Sequence, residues 1–408
     1  MAGLYVHIPF CKSRCIYCDF YSTTRESELE AYVNALCHEI RSRCHELSGC
    51  PADHVRVRTI YIGGGTPSLL SSQQLGRILQ CIREHYSVES DAEVTLEINP
   101  EDMGGEIQDS CCETSGSGSG PRNSGCKLHD LGTWLNDFGV NRVSLGVQTF
   151  NDELLRLLRR RHSAERAVEA VRHLQRAGIG NISLDLIYGL PGQSLEQWKH
   201  DLDVAFSLGP RHLSAYALSY EPGTALWQMR QRGEVKEVAD ELSVRMYQSL
   251  CRRAREAGFE HYEISNFALP GFHSRHNSSY WTGDAYLGFG PGAHSFDGMR
   301  TRRANKPSLS GYLNAADNVR NGSCEVPHDV EVLSDDELYD EAVMCGLRTR
   351  QGVSLEVIGR RFGDRLDYLL SMASQHIAAG RLGVTRNHLH LQEAALMVSD
   401  AIMSDLMA

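Results

Sequence analysis

The sequence predicts an α/β fold, a partial (β/α)6 barrel followed by a smaller helix-rich, winged-helix-like C-terminal domain. In the first 220 residues, six short apolar or β-branched runs alternate with segments of helical periodicity. Repeated β/α units favour a parallel sheet with right-handed crossovers. From Leu333 onward the pattern is mainly helical, with a closing strand pair predicted at 382–385 and 388–391. An open doubly wound sheet is the alternative, because one sequence does not determine strand order.

The periodic segments give the individual elements of this prediction. The strands are predicted at Leu4–Ile8, Val57–Ile62, Glu93–Ile98, Arg142–Val147, Ile182–Ile187 and His212–Leu218, and helices between them at Ser72–Tyr86, Ala164–Ala177 and Leu195–Leu208. A chain of 408 residues is long enough for two units with separate cores. We therefore predict the barrel in residues 1–225, a mixed extension in 226–325 and the C-terminal domain in 326–408.

The composition changes abruptly in residues 103–127, which are dominated by glycine, serine and isolated polar residues. Such a composition is typical of a flexible surface insertion. The insertion contains Cys111, Cys112 and Cys126. We interpret these thiols as incidental and not as a second metal site, because no rigid element beside them would fix ligand geometry.

Charge and cysteine content exclude several classes of protein. The formal net charge of −11 gives no general electrostatic reason for nucleic-acid binding. No run approaches 18 consecutive apolar residues, and Met1 leads almost directly into a predicted strand without a signal-peptide pattern, so we expect a cytoplasmic protein. Thirteen cysteines is an odd number, and without a secretory signal a disulfide framework is a poor explanation.

Three cysteines follow the first predicted strand. Cys11, Cys15 and Cys18 stand within eight positions, and thiolates are the ligands that iron–sulfur clusters require. Three thiolates leave one iron of a cubane cluster without a protein ligand. A zinc site would normally be completed by a fourth Cys or His at a clear spacing, and no such partner is obvious. Plain structural cysteines are the remaining alternative.

Polar and glycine residues stand at the ends of the following strands. The run Gly63–Thr66 ends the second strand, Glu97 the third and Gln148 the fourth, while Asp185 lies in the fifth. In (β/α) barrels the carboxyl ends of the strands and the loops after them carry the functional residues. Taken singly, each residue is more often an ordinary strand-end polar group. Together they predict a ring around one mouth of the barrel.

The cysteine motif, Cys-x3-Cys-x2-Cys with an aromatic residue before the last cysteine, resembles the radical S-adenosylmethionine superfamily. The motifs that extend this resemblance to the coproporphyrinogen III dehydrogenase group are 4–11, 63–67, 97–100, 146–151, Arg160 and 185–191. The resemblance implies a 4Fe-4S cluster on Cys11, Cys15 and Cys18. It also implies contacts to S-adenosylmethionine from Tyr5, Gly64, Gly65, Thr66, Glu97, Gln148, Arg160 and Asp185. Because Arg160 lies in a run of three arginines, a solvated helix face is its alternative interpretation.

Two kinds of protein in this group differ in function. The dehydrogenases carry another cysteine two positions after the third ligand, where this chain has Phe20. They also carry an N-terminal extension, which we do not expect here. The segment His276-Asn277-Ser-Ser-Tyr280-Trp281 instead matches the HNxxYW motif of the HemW-like haem chaperones. Imidazole can ligate haem iron, and Tyr and Trp offer flat faces to a porphyrin.

The resemblance therefore implies a haem chaperone that binds haem and transfers it to apo-haemoproteins. Members of this family bind haem, can form homodimers and deliver haem to membrane-associated respiratory proteins, which implies peripheral association with a membrane. The predicted haem residues are His276, Asn277, Tyr280 and Trp281, with His261, His273 and His294 as alternative iron ligands. Radical oxidative decarboxylation of coproporphyrinogen III is the alternative function. A radical enzyme on an unrelated substrate is a third, because fold and cofactor do not name a substrate.

Overall fold

The computed structural model describes residues 2–46, 56–104, 131–317 and 325–408. Almost all of the predicted insertion, including its three cysteines, lies outside these residues. The described chain forms a twelve-stranded sheet and a separate three-stranded sheet.

The strands of the two sheets are bounded as follows. They are β1 Ala2–Ile8, β2 Val57–Gly64, β3 Val88–Ile98, β4 Arg142–Gln148, β5 Ile182–Tyr188, β6 His212–Ala217, β7 Glu260–Glu263, β8 Asn266–Ala268, β9 Ala285–Phe289, β10 His294–Phe296, β11 Thr301–Asn305, β12 His328–Val332, β13 Val353–Ser354, β14 Leu382–Thr385 and β15 His388–Leu391. In the large sheet the strand order is β12-β11-β10-β9-β1-β2-β3-β4-β5-β6-β8-β7, and the small sheet has the order β13-β15-β14. All six predicted barrel strands and the predicted closing strand pair are therefore confirmed.

The α-helices lie mostly between these strands. They are α1 Leu29–Ser42, α2 Ser72–His85, α3 Leu131–Asp137, α4 Asp152–Leu157, α5 Ala164–Arg176, α6 Leu195–Ser207, α7 Ala225–Gln231, α8 Asp240–Glu256, α9 Arg275–Thr282, α10 Leu309–Asp317, α11 Asp335–Arg348, α12 Leu355–Phe362, α13 Arg365–Ala378 and α14 Ser399–Leu406. Capping boxes begin two of the predicted helices, with Ser71 and Gln74 at α2 and Ser194 and Gln197 at α6.

The strand order excludes the doubly wound alternative. Strands β1 to β6 pair in parallel with each neighbour in chain order, whereas a doubly wound sheet reverses its order at a switch point. Helices lie between the strands in chain order. Side chains from β2 to β6 line one cavity. The prediction of a partial (β/α)6 barrel is thus confirmed.

Residues beyond the barrel extend both edges of its sheet. Strand β9 pairs in parallel with β1, and β8 pairs antiparallel with β6. Strand β12 lies within the range predicted for the C-terminal domain but pairs with β11 in the large sheet. The winged-helix-like domain follows, with α11 to α13 and the small sheet around a second core that includes Tyr339, Leu369 and Leu389. Among the described residues, none of the helices combines the length and apolar character needed to cross a bilayer.

Candidate cofactor site

A cavity of about 640 Å³ opens at the carboxyl ends of the six barrel strands; we call it the barrel-mouth cavity. The predicted residues that line it are Cys11, Cys15, Cys18, Gly64, Gly65, Thr66, Glu97, Gln148, Arg160 and Asp185. The structure therefore brings together all three predicted cluster ligands and seven of the eight residues predicted to contact S-adenosylmethionine. Phe20 also lies at this cavity, and its side chain is 69% exposed.

The glycine run after β2 lets its backbone approach the cysteine loop closely. A Cβ atom on Gly65 would lie 2.9 Å from the Sγ of Cys11 and 2.7 Å from the carbonyl oxygen of Phe10. Gly64 has a φ of +115°, which side-chain-bearing residues rarely adopt. The hydroxyl of Thr66 donates to the Sγ of Cys11 at 3.6 Å. This turn thus requires glycine and presents a hydrogen-bond donor to a sulfur atom.

Glu97 holds the glycine run from the neighbouring strand. Its carboxylate accepts hydrogen bonds from the backbone N–H of Gly64 at 3.0 Å and from the hydroxyl of Tyr61 at 2.7 Å. Burial, together with the negative charge of Asp185, raises the pKa of Glu97 to about 7. Within the described residues Glu97 forms no ion pair. A cationic ligand in the cavity would stabilise its charged form.

Arg160 is buried in the cavity wall and does not lie on a solvated helix face. Its side chain is 7% exposed, and its guanidinium donates to the carbonyl oxygen of Gly146 at 3.0 Å and to the Oδ1 of Asn99 at 2.6 Å. Its Nη1 also donates to the Sγ of Cys15 at 3.4 Å. The Nε of Arg160 is buried and has no hydrogen-bond partner, so one donor is left for a bound anionic group.

Two further strands complete the cavity wall. Gln148 ends β4 with a φ of +71°, just after a register shift between Gly146 and Gln148. Such strained backbone is tolerated where surrounding structure holds it, and it is concentrated at functional sites. On β5, Asp185 accepts hydrogen bonds from the hydroxyl of Ser144 at 2.9 and 3.1 Å. Burial raises the pKa of Asp185 to about 6 despite these bonds.

Tyr5 is the predicted residue that does not line the cavity. Its hydroxyl lies 3.1 Å from the Nδ1 of His7, and its ring packs beside Tyr61 and His276. The prediction missed Asn99, which donates to the hydroxyl of Thr66 at 3.1 Å and accepts from Arg160. Asn99 directly follows the strand that carries Glu97, so strand-end position would have identified it.

The prediction also missed Glu101 and His162, which support the same wall. The Nδ1 of His162 lies 3.0 Å from the carboxylate of Glu101, and its Nε2 lies 3.1 Å from the carbonyl oxygen of Val147. Burial alone would raise the pKa of Glu101, but the hydrogen bond from His162 and the charge of Arg160 lower it to about 2. No local signal joins residues that stand 61 positions apart.

The three cysteines of the loop after β1 fit an iron–sulfur group. All three are free thiols on one cavity, and donors from Thr66 and Arg160 face two of their sulfur atoms. In the part of the chain that the structure describes, no three His, Cys, Asp or Glu side chains are placed to hold one metal ion. Three thiols on one loop with hydrogen-bond donors to sulfur fit an iron–sulfur group.

The HNxxYW segment forms α9, which lies against the inner face of β2. The side chain of His276 is 1% exposed; its Nδ1 lies 2.8 Å from the Oγ1 of Thr59 and its Nε2 lies 2.9 Å from the hydroxyl of Tyr280. Its ring also stacks on that of Tyr61 at a centroid distance of 5.1 Å. Burial lowers the pKa of His276 to about 3, so the ring is neutral. In this arrangement both ring nitrogens are engaged inside the protein.

The structure does not bring the four predicted haem residues to one surface. Asn277 lines the barrel-mouth cavity, whereas Trp281 lies under the guanidinium of Arg348, 4.9 Å from its ring centroid. The alternative histidines are scattered. His294 is exposed on β10, His273 lies 2.8 Å from the carboxylate of Glu260, and the Nε2 of His261 lies 3.2 Å from the carbonyl oxygen of Ile264.

Comparison with known proteins identifies the family. The chain matches the "Radical SAM superfamily" model over residues 5–205 and the "HemN C-terminal domain" model over residues 333–398. It is 36% identical over 360 residues to "Heme chaperone HemW" of Lactococcus lactis subsp. lactis, covering 88% of this chain and 84% of the relative. It is 34% identical over 381 residues to "Heme chaperone HemW" of Bacillus subtilis, covering 93% and 91%.

A solved structure supports the fold. The radical SAM enzyme coproporphyrinogen III oxidase (HemN) from Escherichia coli superimposes with a TM-score of 0.78 at 23% identity, covering 100% of this chain and 90% of that one. At that identity the likeness shows the fold alone. The family implies a 4Fe-4S cluster and S-adenosylmethionine, and the barrel-mouth cavity offers residues that fit both. The chain belongs to the HemW haem chaperone family of the radical S-adenosylmethionine superfamily.

Proposed function

We propose that this protein is a haem chaperone, which binds haem and transfers it to apo-haemoproteins. The observation that carries this proposal is the similarity to proteins named haem chaperones, which extends over about nine tenths of the chain. Cys11, Cys15 and Cys18 hold the 4Fe-4S cluster in this proposal. The cluster leaves one iron open, and S-adenosylmethionine binds there.

The electrostatics of the barrel-mouth cavity support S-adenosylmethionine as the second ligand. This molecule carries a sulfonium and an ammonium charge as well as a carboxylate. Glu97 and Asp185 are buried carboxyl groups with raised pKa values, about 7 and about 6, so a cation between them would favour their charged forms. Arg160 offers its unpartnered Nε to the carboxylate of the ligand. We propose that Asp185 also accepts hydrogen bonds from the ribose hydroxyls.

Phe20 separates the chaperone proposal from the dehydrogenase alternative. By resemblance, the dehydrogenases have a cysteine at this position, whereas this chain presents an exposed phenyl ring at the rim of the cavity. A phenyl ring cannot donate or accept a proton or form a thiyl group. We therefore propose that the cluster and S-adenosylmethionine support haem handling and that coproporphyrinogen III is not decarboxylated.

The proposal also covers the proteins that accept haem, the oligomeric state and the location in the cell. We propose apo-haemoproteins of membrane-associated respiratory complexes as acceptors and a homodimer as the working form, in a cytoplasmic protein that meets the membrane peripherally. The expectations that nucleic acid is not a partner and that HNxxYW contributes to haem binding also remain predictions.

One experiment separates the two functions. Anaerobically reconstituted protein would receive S-adenosylmethionine, a low-potential reductant, a one-electron acceptor, coproporphyrinogen III and haem together, with an apo-haemoprotein such as apo-cytochrome b to take up the haem. Absorbance of the acceptor would report haem transfer, and chromatography would report protoporphyrinogen. We expect haem transfer without porphyrin product.

The triple variant C11S/C15S/C18S, with C345S as a matched thiol control, would show whether transfer depends on the cluster. Cys345 lies on α11 in the C-terminal domain, away from the barrel-mouth cavity. Porphyrin product in the absence of haem transfer would overturn the proposal in favour of the dehydrogenase. Absence of both haem uptake and porphyrin product would leave a radical enzyme on an unrelated substrate.

A further inference from the structure

A second cavity, of about 1060 Å³, lies between the barrel and the C-terminal domain; we call it the interdomain cleft. Helix α8 and the hairpin β7–β8 bound it on the barrel side, and residues 348–351 with the hairpin β14–β15 bound it on the other. The cleft is separate from the barrel-mouth cavity, because the two share no lining residue.

Two histidines of β15 line the interdomain cleft from the same face of the strand. His388 and His390 are two positions apart, so their side chains point to one side of the pleat. The Nδ1 of His388 donates to the carbonyl oxygen of Arg386 at 3.0 Å. That bond fixes the proton on Nδ1 and leaves a lone pair on Nε2, the tautomer found in metal-ligating histidines.

The Nε2 of His388 is hydrogen-bonded only to a side chain that a ligand could displace. It accepts a hydrogen bond from the side-chain amide of Gln351 at 3.3 Å, and Gln351 is exposed. His390 is arranged in the same way, with Nδ1 at 3.3 Å from the carbonyl oxygen of Leu391 and Nε2 at 3.1 Å from the hydroxyl of Thr385. Rotation of the exposed Gln351 or Thr385 side chain would free the Nε2 lone pair of His388 or His390 for a metal. The ring nitrogens of the enclosed His276 cannot be freed in this way.

Four arginines line the cleft, and two of them are paired. Arg255 pairs with Glu393 at 2.6 Å and Arg348 with Glu263 at 3.5 Å. Among the described residues, Arg350 and Arg386 have no ion-pair partner. Both side chains are exposed at the cleft and can turn to an anionic ligand. The third carboxylate of the lining, that of Glu260, lies 2.8 Å from the Nε2 of His273 and pairs with neither arginine.

The wall of the cleft combines polar and apolar groups. The half-buried apolar side chains that line it are Phe259, Ile264, Leu391 and Leu396. Apolar wall groups, two arginines at the rim and a ligating imidazole match one kind of ligand. That ligand is planar, mostly apolar, carries two carboxylates and contains a metal with an open axial position.

A bare metal ion fits the cleft less well than haem. In the described part of the chain, no cluster of three His, Cys, Asp or Glu side chains is placed to hold one ion. Haem brings four nitrogen ligands of its own and needs one imidazole from the protein.

The HNxxYW segment contacts one wall residue of this cleft. The ring of Trp281 lies under the guanidinium of Arg348, which is itself a wall residue of the cleft. Trp281 thereby orients a wall residue from the barrel side, whereas His276 has both ring nitrogens engaged within the barrel. The motif can therefore contribute to haem binding by positioning Arg348, without iron ligation by His276.

We propose that the interdomain cleft is the haem site of this protein, with His388 Nε2 as the axial iron ligand and Arg350 and Arg386 as partners of the two propionates. The proposal rests on the proposed haem chaperone function. It places the cargo away from the barrel-mouth cavity, so haem and S-adenosylmethionine can be bound at the same time.

The test is a titration of the full-length chain with hemin, followed through the Soret band. We expect H388A and H388A/H390A to lose the spectrum of imidazole-ligated iron and to weaken binding at least tenfold. The variant R350Q/R386N should weaken binding about tenfold for each propionate that is left without its arginine, with an unchanged Soret maximum. Asparagine is chosen at position 386 because its φ of +51° disfavours most side chains.

Matched controls lie outside the cleft. His328 stands on β12 with its Nδ1 bonded to the carbonyl oxygen of Val326 at 2.8 Å, and Arg360 is an exposed residue of α12. H328A and R360Q should bind haem as the unmodified protein does. Because Arg350 and Arg386 are exposed, R350Q/R386N tests the site even if a histidine variant unfolds.

The outcomes distinguish the location from the function. Unchanged affinity and spectrum in both H388A/H390A and R350Q/R386N, with haem bound by the unmodified protein, would overturn the cleft as the site and leave the chaperone function intact. Failure of the unmodified protein to bind haem would refute the function itself.

Discussion

The Nδ1 of His276 lies 2.8 Å from the Oγ1 of Thr59, a contact that fastens α9 to the inner face of β2. Replacing this imidazole by alanine leaves a cavity and removes the partner of two hydroxyls, that of the buried Thr59 and that of the half-buried Tyr280. We expect H276A to lower the free energy of unfolding by about 2–4 kcal/mol. Urea denaturation of H276A would measure this loss. The control is H294A at an exposed position of β10, whose free energy of unfolding should stay within about 0.5 kcal/mol of that of the parent. An H276A protein as stable as the parent would contradict this structural role.

Gly65 gives a prediction for the cluster. An added Cβ would lie 2.9 Å from the Sγ of Cys11 and 2.7 Å from the backbone of Phe10, so G65A should displace the cysteine loop. We expect G65A to retain less than half of the iron found in the reconstituted parent, as measured by iron analysis and visible absorbance. Gly180 is the matched control, because a Cβ there would meet nothing within 4 Å. Equal iron content in G65A and G180A would refute the close approach.

Arg160 and Arg161 are adjacent but differ in position. The guanidinium of Arg160 bridges Gly146, Asn99 and Cys15 inside the cavity wall, and lysine cannot reproduce that planar set of donors. Arg161 is 37% exposed and pairs with Glu101 at 3.4 Å. We expect R160K to weaken S-adenosylmethionine binding at least tenfold, and R161K less than threefold, by equilibrium dialysis of reconstituted protein. Similar effects of the two variants would argue against a direct role of Arg160.

Glu97 makes stability depend on pH. Burial raises its pKa from the ordinary value of 4.5 to about 7 in the folded state. Between these pH values the folded state holds more protons than the unfolded state, so stability falls as pH rises from about 4.5 to 7. Asp185, with a pKa raised to about 6, contributes in the same direction.

The variant E97Q, which still accepts from Gly64, should gain stability relative to the parent at pH 8 and show little gain at pH 5. Urea unfolding at both pH values measures this difference, with the exposed Glu84 as control in E84Q. A stability difference between E97Q and the parent that is the same at pH 5 and pH 8 would contradict the raised pKa.

Glu39 joins α1 to the strands that follow the barrel. Its buried carboxylate accepts hydrogen bonds from Arg43 at 2.8 Å, from Asn305 at 2.8 Å and from Tyr312 at 2.6 Å. Removing it leaves the buried guanidinium of Arg43 without this partner, and breaking a buried pair costs about 3–5 kcal/mol. We therefore expect E39A to lower the free energy of unfolding by that amount, measured by urea denaturation. The side chain of Glu46 is more exposed, so E46A should cost less than half as much; equal costs would contradict the buried network.

Local sequence signals predicted the parts of the site that lie at strand ends. Parallel strands in chain order bring their carboxyl ends together, so Glu97, Gln148 and Asp185 meet at one cavity wherever the β/α alternation holds. The spacing of Cys11, Cys15 and Cys18 likewise lies within one loop. For these residues the sequence pattern was sufficient, because their neighbours follow directly from strand order.

The sequence by itself determined the barrel, the C-terminal strand pair, the cysteine loop and the family. Only the tertiary structure decided that Arg160 is buried and that Tyr5 lies outside the barrel-mouth cavity. It also decided that His276 is enclosed, with a hydrogen bond to Thr59, which stands 217 positions away in the chain. It also decided that β15 faces a cleft against the barrel. The physical reason is that burial and hydrogen-bond partners depend on contacts between distant segments, whereas periodicity and motif spacing are properties of adjacent residues.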